Sequence, residues 1–92
     1  MIVDLPEAKS YLRIDYEDDD VLLLRLIQSA EKLCASVARL TVDRLLEVGG
    51  ENAHTAVLFT VAYLYEHREE ADHHELTITL RSLLFGIREE GF

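Results

Sequence analysis

Two copies of the spacing Glu-x-x-His come closest to a catalytic or metal-binding motif in this sequence. Glu51 precedes His54, and Glu70 precedes His73. Paired copies of this spacing on bundle helices can build a di-iron centre when two further glutamates point inward. On one continuous helix, however, the two copies would lie roughly 28 Å apart. One chain cannot unite them, so we expect surface histidines and no metal site.

Other kinds of chemistry are not indicated either. The one cysteine, Cys34, lies in an apolar helical pattern, which is typical of a small buried side chain. The sequence contains no Gly-x-Ser-x-Gly motif and no glycine-rich phosphate loop. The acidic run at residues 17–20 lacks the glycine of a calcium loop and directly precedes an apolar segment, which favours capping of a helix start. We therefore predict that the protein is not an enzyme and has no cofactor.

The composition of the chain limits its partners. Its 92 residues are 49% hydrophobic and include 18 acidic against 9 basic side chains, a net charge of −9. This length and apolar content predict one domain, residues 1–92, with a core of its own. Binding to DNA phosphates needs clustered Lys and Arg, so we do not expect a sequence-reading DNA protein. An acidic surface can still guide a moving duplex without gripping it. No apolar run approaches the roughly 20 residues that cross a bilayer, so we expect no membrane contact.

The scarcity of glycine and proline predicts an all-α fold, a small bundle of about four helices. Asp4 is a plausible N-cap, with Pro6 in the first turn and Glu7 at the capping-box spacing. Glu31 belongs to a polar face of the second helix that we expect to be solvated, and Thr79 is a possible cap for the last helix. The predicted helices are residues 5–12, 19–40, 53–65 and 79–88. Residues 41–52 are predicted to be a connector with room for one short helical turn, and residues 66–75 a helix end and loop.

The third predicted helix has an unusual composition. Ten of its thirteen residues, 53–65, are apolar, and at 100° per residue they surround the whole helix. A small domain has little material to cover such a helix, which leads us to expect that copies of the chain associate. The alternative left open is a helix buried centrally within one chain.

The sequence resembles a known family in three blocks. The first is Leu-Pro-Glu-Ala-Lys-Ser-Tyr-Leu-Arg-Ile-Asp from residue 5, followed by the acidic run and Leu-Leu-Leu-Arg-Leu-Ile-Gln-Ser-Ala-Glu. The second is residues 56–69, centred on Ala-Tyr-Leu-Tyr-Glu-His-Arg-Glu, and the third is Leu83, Leu84 and Arg88. Together they resemble the small head-tail connector proteins, often labelled DNA-packaging proteins, of long-tailed double-stranded DNA phages.

This resemblance implies a structural protein of a phage or prophage virion. Its subunits would form a ring of about a dozen copies between the portal protein and a tail-side completion protein, with DNA passing through the bore as a non-specifically contacted duplex. The location implied is the head-tail junction of the virion, or the host cytoplasm when a prophage expresses the protein.

The resemblance also suggests roles for individual residues. Arg13 and Asp15 lie between the first two helices and would fix that corner through hydrogen bonds. Tyr65 and Arg68 are either subunit contacts or an intrachain helix cap, and Phe85 lies off the apolar stripe of the last helix. The candidates for the subunit interface are Phe59, Tyr63, Tyr65, Arg68, Leu84, Phe85 and Arg88.

Two alternatives remain at this point. One is an acidic helical binding module, a regulator or antitoxin-like protein, that sequesters a basic or apolar protein partner. Its C-terminal segment, residues 76–92, would fold only on that partner. The other is a carboxylate metalloprotein, which metal analysis of the protein purified without a tag would test.

Overall fold

The computed structural model describes residues 2–69 and 73–85, and these residues form five helices. In chain order they are α1 (Leu5–Leu12), α2 (Asp20–Ala38), α3 (Val42–Val48), α4 (Gly50–Glu66) and α5 (His74–Leu84). The predicted all-helical fold is confirmed over the described residues, which contain no strand. The bundle has one helix more than expected.

α1 begins and ends at the predicted residues. Asp4 Oδ1 accepts a hydrogen bond from the backbone N–H of Glu7 at 3.0 Å, as its assignment as the N-cap requires. The helix ends at Arg13, whose φ of 58° places it in the left-handed region. The N–H of Ile14 then reaches back to the carbonyl of Lys9 at 2.9 Å, the six-to-one bond of a Schellman ending.

α2 is shorter than its predicted span, residues 19–40, by one residue at the start and two at the end. Arg39 has a φ of 59°, and the N–H of Leu40 donates to the carbonyl of Ala35 at 2.9 Å. The same ending as in α1 therefore stops α2, with arginine where glycine is usual.

Residues 41–52, predicted as a connector with room for one short helical turn, are more helical than expected, because this segment holds α3 and the start of α4. Thr41 caps α3 by accepting the N–H of Arg44 at 3.1 Å, and Leu45 is fully buried. Gly50 has a φ of 51°, a conformation that glycine adopts without strain. The glycine pair thus marks a tight junction between two helices and not a long break.

α5 begins five residues before its predicted start at Thr79. The Thr79 hydroxyl donates to the carbonyl of Glu75 at 3.1 Å, so this side chain lies inside the helix and does not cap it. Leu76, Leu80 and Leu84 are the buried stripe of α5. The predicted end at Arg88 lies outside the described residues.

α2 and α4 form the centre of the bundle, and α1, α3 and α5 each pack against both of them. The two central helices are antiparallel: Asp19, before α2, bonds Tyr65 near the end of α4, whereas Cys34 lies beside Thr60. The Thr60 hydroxyl donates to the carbonyl of Ala56 at 2.7 Å, which satisfies a polar group in the middle of the core.

Three polar contacts join segments that are distant in sequence. Glu31 accepts the backbone N–H of Ile2 at 2.6 Å, Lys9 Nζ pairs with Asp20 at 2.7 Å, and His54 Nε2 lies 2.5 Å from Glu7. Glu31 is only 6% exposed, so its expected position on a solvated face is wrong. The reason is the N-terminal segment, which lies over this part of α2 and places an amide donor on the carboxylate.

Candidate interface surfaces

The apolar helix that suggested self-association, now α4, is covered mainly by its own chain. It packs against all four other helices, and every apolar side chain between residues 53 and 65 is buried or half-buried. α3, which the sequence did not predict, supplies one of these covering helices. The composition of α4 alone therefore does not require neighbouring copies.

One side of α4 remains open as a groove. Residues of α4, among them Phe59, Ala62 and Tyr63, line it together with the end of α1. The groove has a volume of about 530 Å³. We call it the α4 groove, and it is lined by Tyr11, Leu12, Arg13, Phe59, Ala62, Tyr63, Glu66 and His67. Two of the predicted interface residues, Phe59 and Tyr63, are thus brought together.

Ring contacts fix the aromatic side of this groove. The rings of Tyr63 and His67 are stacked with centroids 4.1 Å apart and an interplanar angle of 18°. His73 meets Tyr63 edge-on at 5.8 Å, and His67 Nδ1 lies 2.9 Å from the carbonyl oxygen of Tyr63. A ring held in this way loses little freedom when another surface binds it.

Tyr65 and Arg68 make their contacts within the chain. The Tyr65 hydroxyl donates to Asp19 Oδ2 at 2.6 Å and lies 3.3 Å from the hydroxyl of Tyr16. The hydrogen bond to Asp19, followed by that to Tyr16, raises the pKa of Tyr65 well above its ordinary value. The guanidinium of Arg68 lies 4.9 Å from the centre of the Tyr65 ring. Tyr65 therefore ties the end of α4 to the loop between α1 and α2, and Arg68 packs on the ring of Tyr65.

The same contacts change the interpretation of the acidic run. Asp19 stands at the start of α2, but among the described residues its side chain makes no capping bond there. Its carboxylate is oriented by Tyr65, and the neighbouring Asp20 binds Lys9. Asp19 and Asp20 of the acidic run therefore contact other parts of the chain, in place of the expected capping of α2.

The outward side of α5 is a second apolar surface. Phe85 is 76% exposed and Ile78 is 49% exposed. We call this surface the α5 outer face, formed by Ile78, Arg81, Ser82 and Phe85 at the spacing of one helix side. Leu84 is fully buried in the core, which removes it from the interface candidates, and Arg88 lies outside the described residues.

The corner between α1 and α2 is held by its main chain. Arg13 provides the left-handed turn described above, and Asp15 is exposed. A role for the two side chains in fixing this corner through hydrogen bonds stays a prediction. Arg13 also lines the α4 groove.

The sequence suggested few candidate groups for metal binding or nucleophilic chemistry. They contain no group of three or more His, Cys, Asp and Glu side chains placed to hold a metal ion. Of the two Glu-x-x-His motifs, one has His54 paired with Glu7, and the other includes Glu70, which lies outside the described part.

Cys34 is buried, and its burial raises the pKa of the thiol to about 11, so little thiolate forms. None of the helices in the described ranges is long and apolar enough to span a membrane.

Sequence reasoning missed three residues that matter here. Tyr11 and Ile78 are exposed apolar side chains, and Glu31 is a buried carboxylate. Ile78 and Phe85 are seven residues apart, which places them on one face of a helix. This spacing indicates an exposed apolar face only when the start of α5 is known. Glu31 carries no such signal, because its partner lies 29 residues away.

Comparison with known proteins found a match over nearly the whole sequence. A family model described as phage gp6-like head-tail connector protein matches residues 2–90. Searches of curated proteins and of solved structures found no match. The family match spans nearly the whole sequence and confirms the resemblance that the three sequence blocks indicated. The chain therefore belongs to the phage gp6-like head-tail connector family.

Proposed function

We propose that this protein is a non-enzymatic structural subunit that forms a ring of about a dozen copies between portal and tail. The observation that carries the proposal is the family match over residues 2–90. The exposed apolar surfaces on α4 and α5 support it, because a structural subunit needs surfaces that bind other proteins. The partners are other copies of the chain, the portal protein and a tail-side completion protein at the head-tail junction of the virion.

DNA passes through this ring without being gripped. The net charge of −9 supports this part of the proposal, because an acidic wall repels the phosphates of a moving duplex. The protein then needs no catalytic residue and no cofactor for its function.

Light scattering after size exclusion, over a range of protein concentrations, tests the assembly. We expect species of high order, and electron microscopy of these fractions should reveal closed rings. Purified portal protein is added in a parallel sample, because a partner that binds only the assembled form favours it by mass action. A chain that stays monomeric both alone and with portal protein would contradict the proposal.

Loss of the protein tests its place in the virion. In a phage that encodes it, a deletion should leave heads and tails unjoined, and the protein supplied in trans should restore joined particles. Normal joined particles from the deletion phage would speak against a role at the head-tail junction.

A further inference from the structure

The α5 outer face has a shape and charge suited to another protein surface. Ile78 and Phe85 are seven residues apart, so their positions are separated by roughly 10 Å along the helix axis. Arg81 lies between them on the same side of the helix. Two exposed apolar side chains therefore flank one cation, while the opposite side of α5 fills the core.

The α4 groove has matching dimensions. Phe59 and Glu66 are also seven residues apart, so this stretch of the groove is about as long as the apolar pair on α5. The aromatic residues Tyr11, Phe59 and Tyr63 line it, and the carboxylate of Glu66 belongs to the same surface. The groove thus offers an apolar recess together with an anion.

We propose that the α5 outer face of one copy packs into the α4 groove of the next copy. Ile78 and Phe85 then contact the aromatic lining, and Arg81 lies near Glu66. This inference rests on the proposed function and names the contact by which its ring is built.

Charge indicates that the occupant is a second copy. Two molecules with a net charge of −9 repel each other, so they can meet only through patches that lack excess acid. The α5 outer face carries the cation Arg81, which also lines a recess with Arg39 at the end of α2, and the exposed Glu75 lies one turn before Ile78. The α4 groove carries the anion Glu66, with Arg13 at the end of α1. The chain itself therefore carries both halves of a complementary pair.

The topology of this contact agrees with a ring. The two surfaces are different parts of one molecule, so every copy can offer its α5 outer face to one neighbour and its α4 groove to another. Such a heterologous contact produces a closed ring when its rotation closes, whereas a contact between identical patches would stop at a dimer.

Cross-linking between two variants, each with one added surface cysteine, tests the contact. Ser82→Cys places a thiol on the α5 outer face, and Ala62→Cys places one in the α4 groove. The two variants are mixed, assembled under conditions in which the wild type forms rings, with portal protein if required, and oxidised. Ser29→Cys replaces Ser82→Cys as the matched control, because Ser29 is exposed on α2 outside both surfaces. The native Cys34 is buried and its pKa is raised to about 11, so it adds little background.

The expected result is about tenfold or more cross-linked dimer from the Ser82→Cys and Ala62→Cys mixture than from the control mixture, because the interface holds the two thiols at a high effective concentration. Equal yields from the two mixtures in samples that contain rings would overturn this interface and leave the proposed function intact. Failure of the wild type to form rings under any condition would overturn both.

Discussion

At the scale of single residues, polar contacts between distant segments fix how the helices meet. Glu31 holds the N-terminal segment on α2, and Tyr65 holds the end of α4 on the loop before α2. Neither pair is visible in the sequence, because helical periodicity predicts which side of a helix is buried but not which distant amide or carboxylate will meet it. Both pairs can be tested by removing one partner.

The first prediction concerns Glu31→Ala. The variant leaves the Ile2 N–H without its carboxylate acceptor in a part-buried position, so we expect the free energy of unfolding to fall by about 1–3 kcal/mol. Urea unfolding followed by circular dichroism measures this change. Glu47→Ala is the control, because the pair that Glu47 forms with Arg44 is exposed and contributes about 0.5 kcal/mol or less. Equal losses for the two variants would show that the Glu31 contact adds nothing specific.

The second prediction concerns Tyr65→Phe. The hydroxyl must be protonated to donate to Asp19, and this bond raises the folded-state pKa above the ordinary value of 10.0. Its stabilisation is therefore complete below about pH 10 and is lost as the pH rises above that value. We expect Tyr65→Phe to unfold at lower urea than the wild type near neutral pH, and the difference to shrink in alkaline solution.

Urea midpoints of both proteins, measured at about pH 8 and about pH 10.5, test this dependence. Tyr11→Phe serves as the control, because Tyr11 lies exposed in the α4 groove and its ring remains in the variant. A difference between wild type and Tyr65→Phe that is constant with pH would contradict the role of the hydroxyl.

At the scale of helices, how well each one was predicted depends on how local its signals are. Both ends of α1 were predicted, and Asp4 and Pro6 mark its start within the sequence itself. α3 was missed because its seven residues are too few for a clear period and a glycine pair follows them. The start of α5 was missed because His73, its N-cap, makes no side-chain capping bond among the described residues. The α4 groove combines residues 11–13 with residues 59–67, a tertiary arrangement that no local pattern contains.

The third prediction concerns Gly49→Ala at the junction of α3 and α4. A Cβ atom at this position would overlap the Cβ of Ala53 and lie 2.6 Å from the carbonyl oxygen of Leu45. Relief of this crowding requires the two helices to move apart, so we expect a loss of about 1–3 kcal/mol in the free energy of unfolding, measured by urea denaturation.

Gly50→Asn is the matched control for that junction. Gly50 has a φ of 51°, and a Cβ there would meet no atom within 4 Å among the described residues. Asparagine tolerates this backbone conformation, so we expect a loss below about 1 kcal/mol. A larger loss from Gly50→Asn than from Gly49→Ala would mean that backbone conformation, and not close packing, determines the junction.

At the scale of the whole molecule, charge and apolar contact act in opposite directions on assembly. Copies with a net charge of −9 repel one another, while Ile78 and Phe85 present apolar surface that water disfavours. The other helices of the same chain cover most of α4. This packing keeps a single copy folded and leaves only a limited apolar surface for contact with neighbouring copies. The direction in which added salt changes assembly should therefore show whether apolar contacts or ion pairs dominate between the copies.

The fourth prediction is that added salt promotes assembly. Raising sodium chloride to about 1 M shortens the screening length to about 3 Å, which weakens repulsion between copies and leaves apolar contact intact. Light scattering should then detect larger species at lower protein concentration. Phe85→Ser should remove most of this response, whereas Val21→Ser should retain it, because Val21 is 65% exposed but lies outside both apolar surfaces. Dissociation of the assembled species by salt would instead mean that ion pairs, and not apolar side chains, hold the copies together.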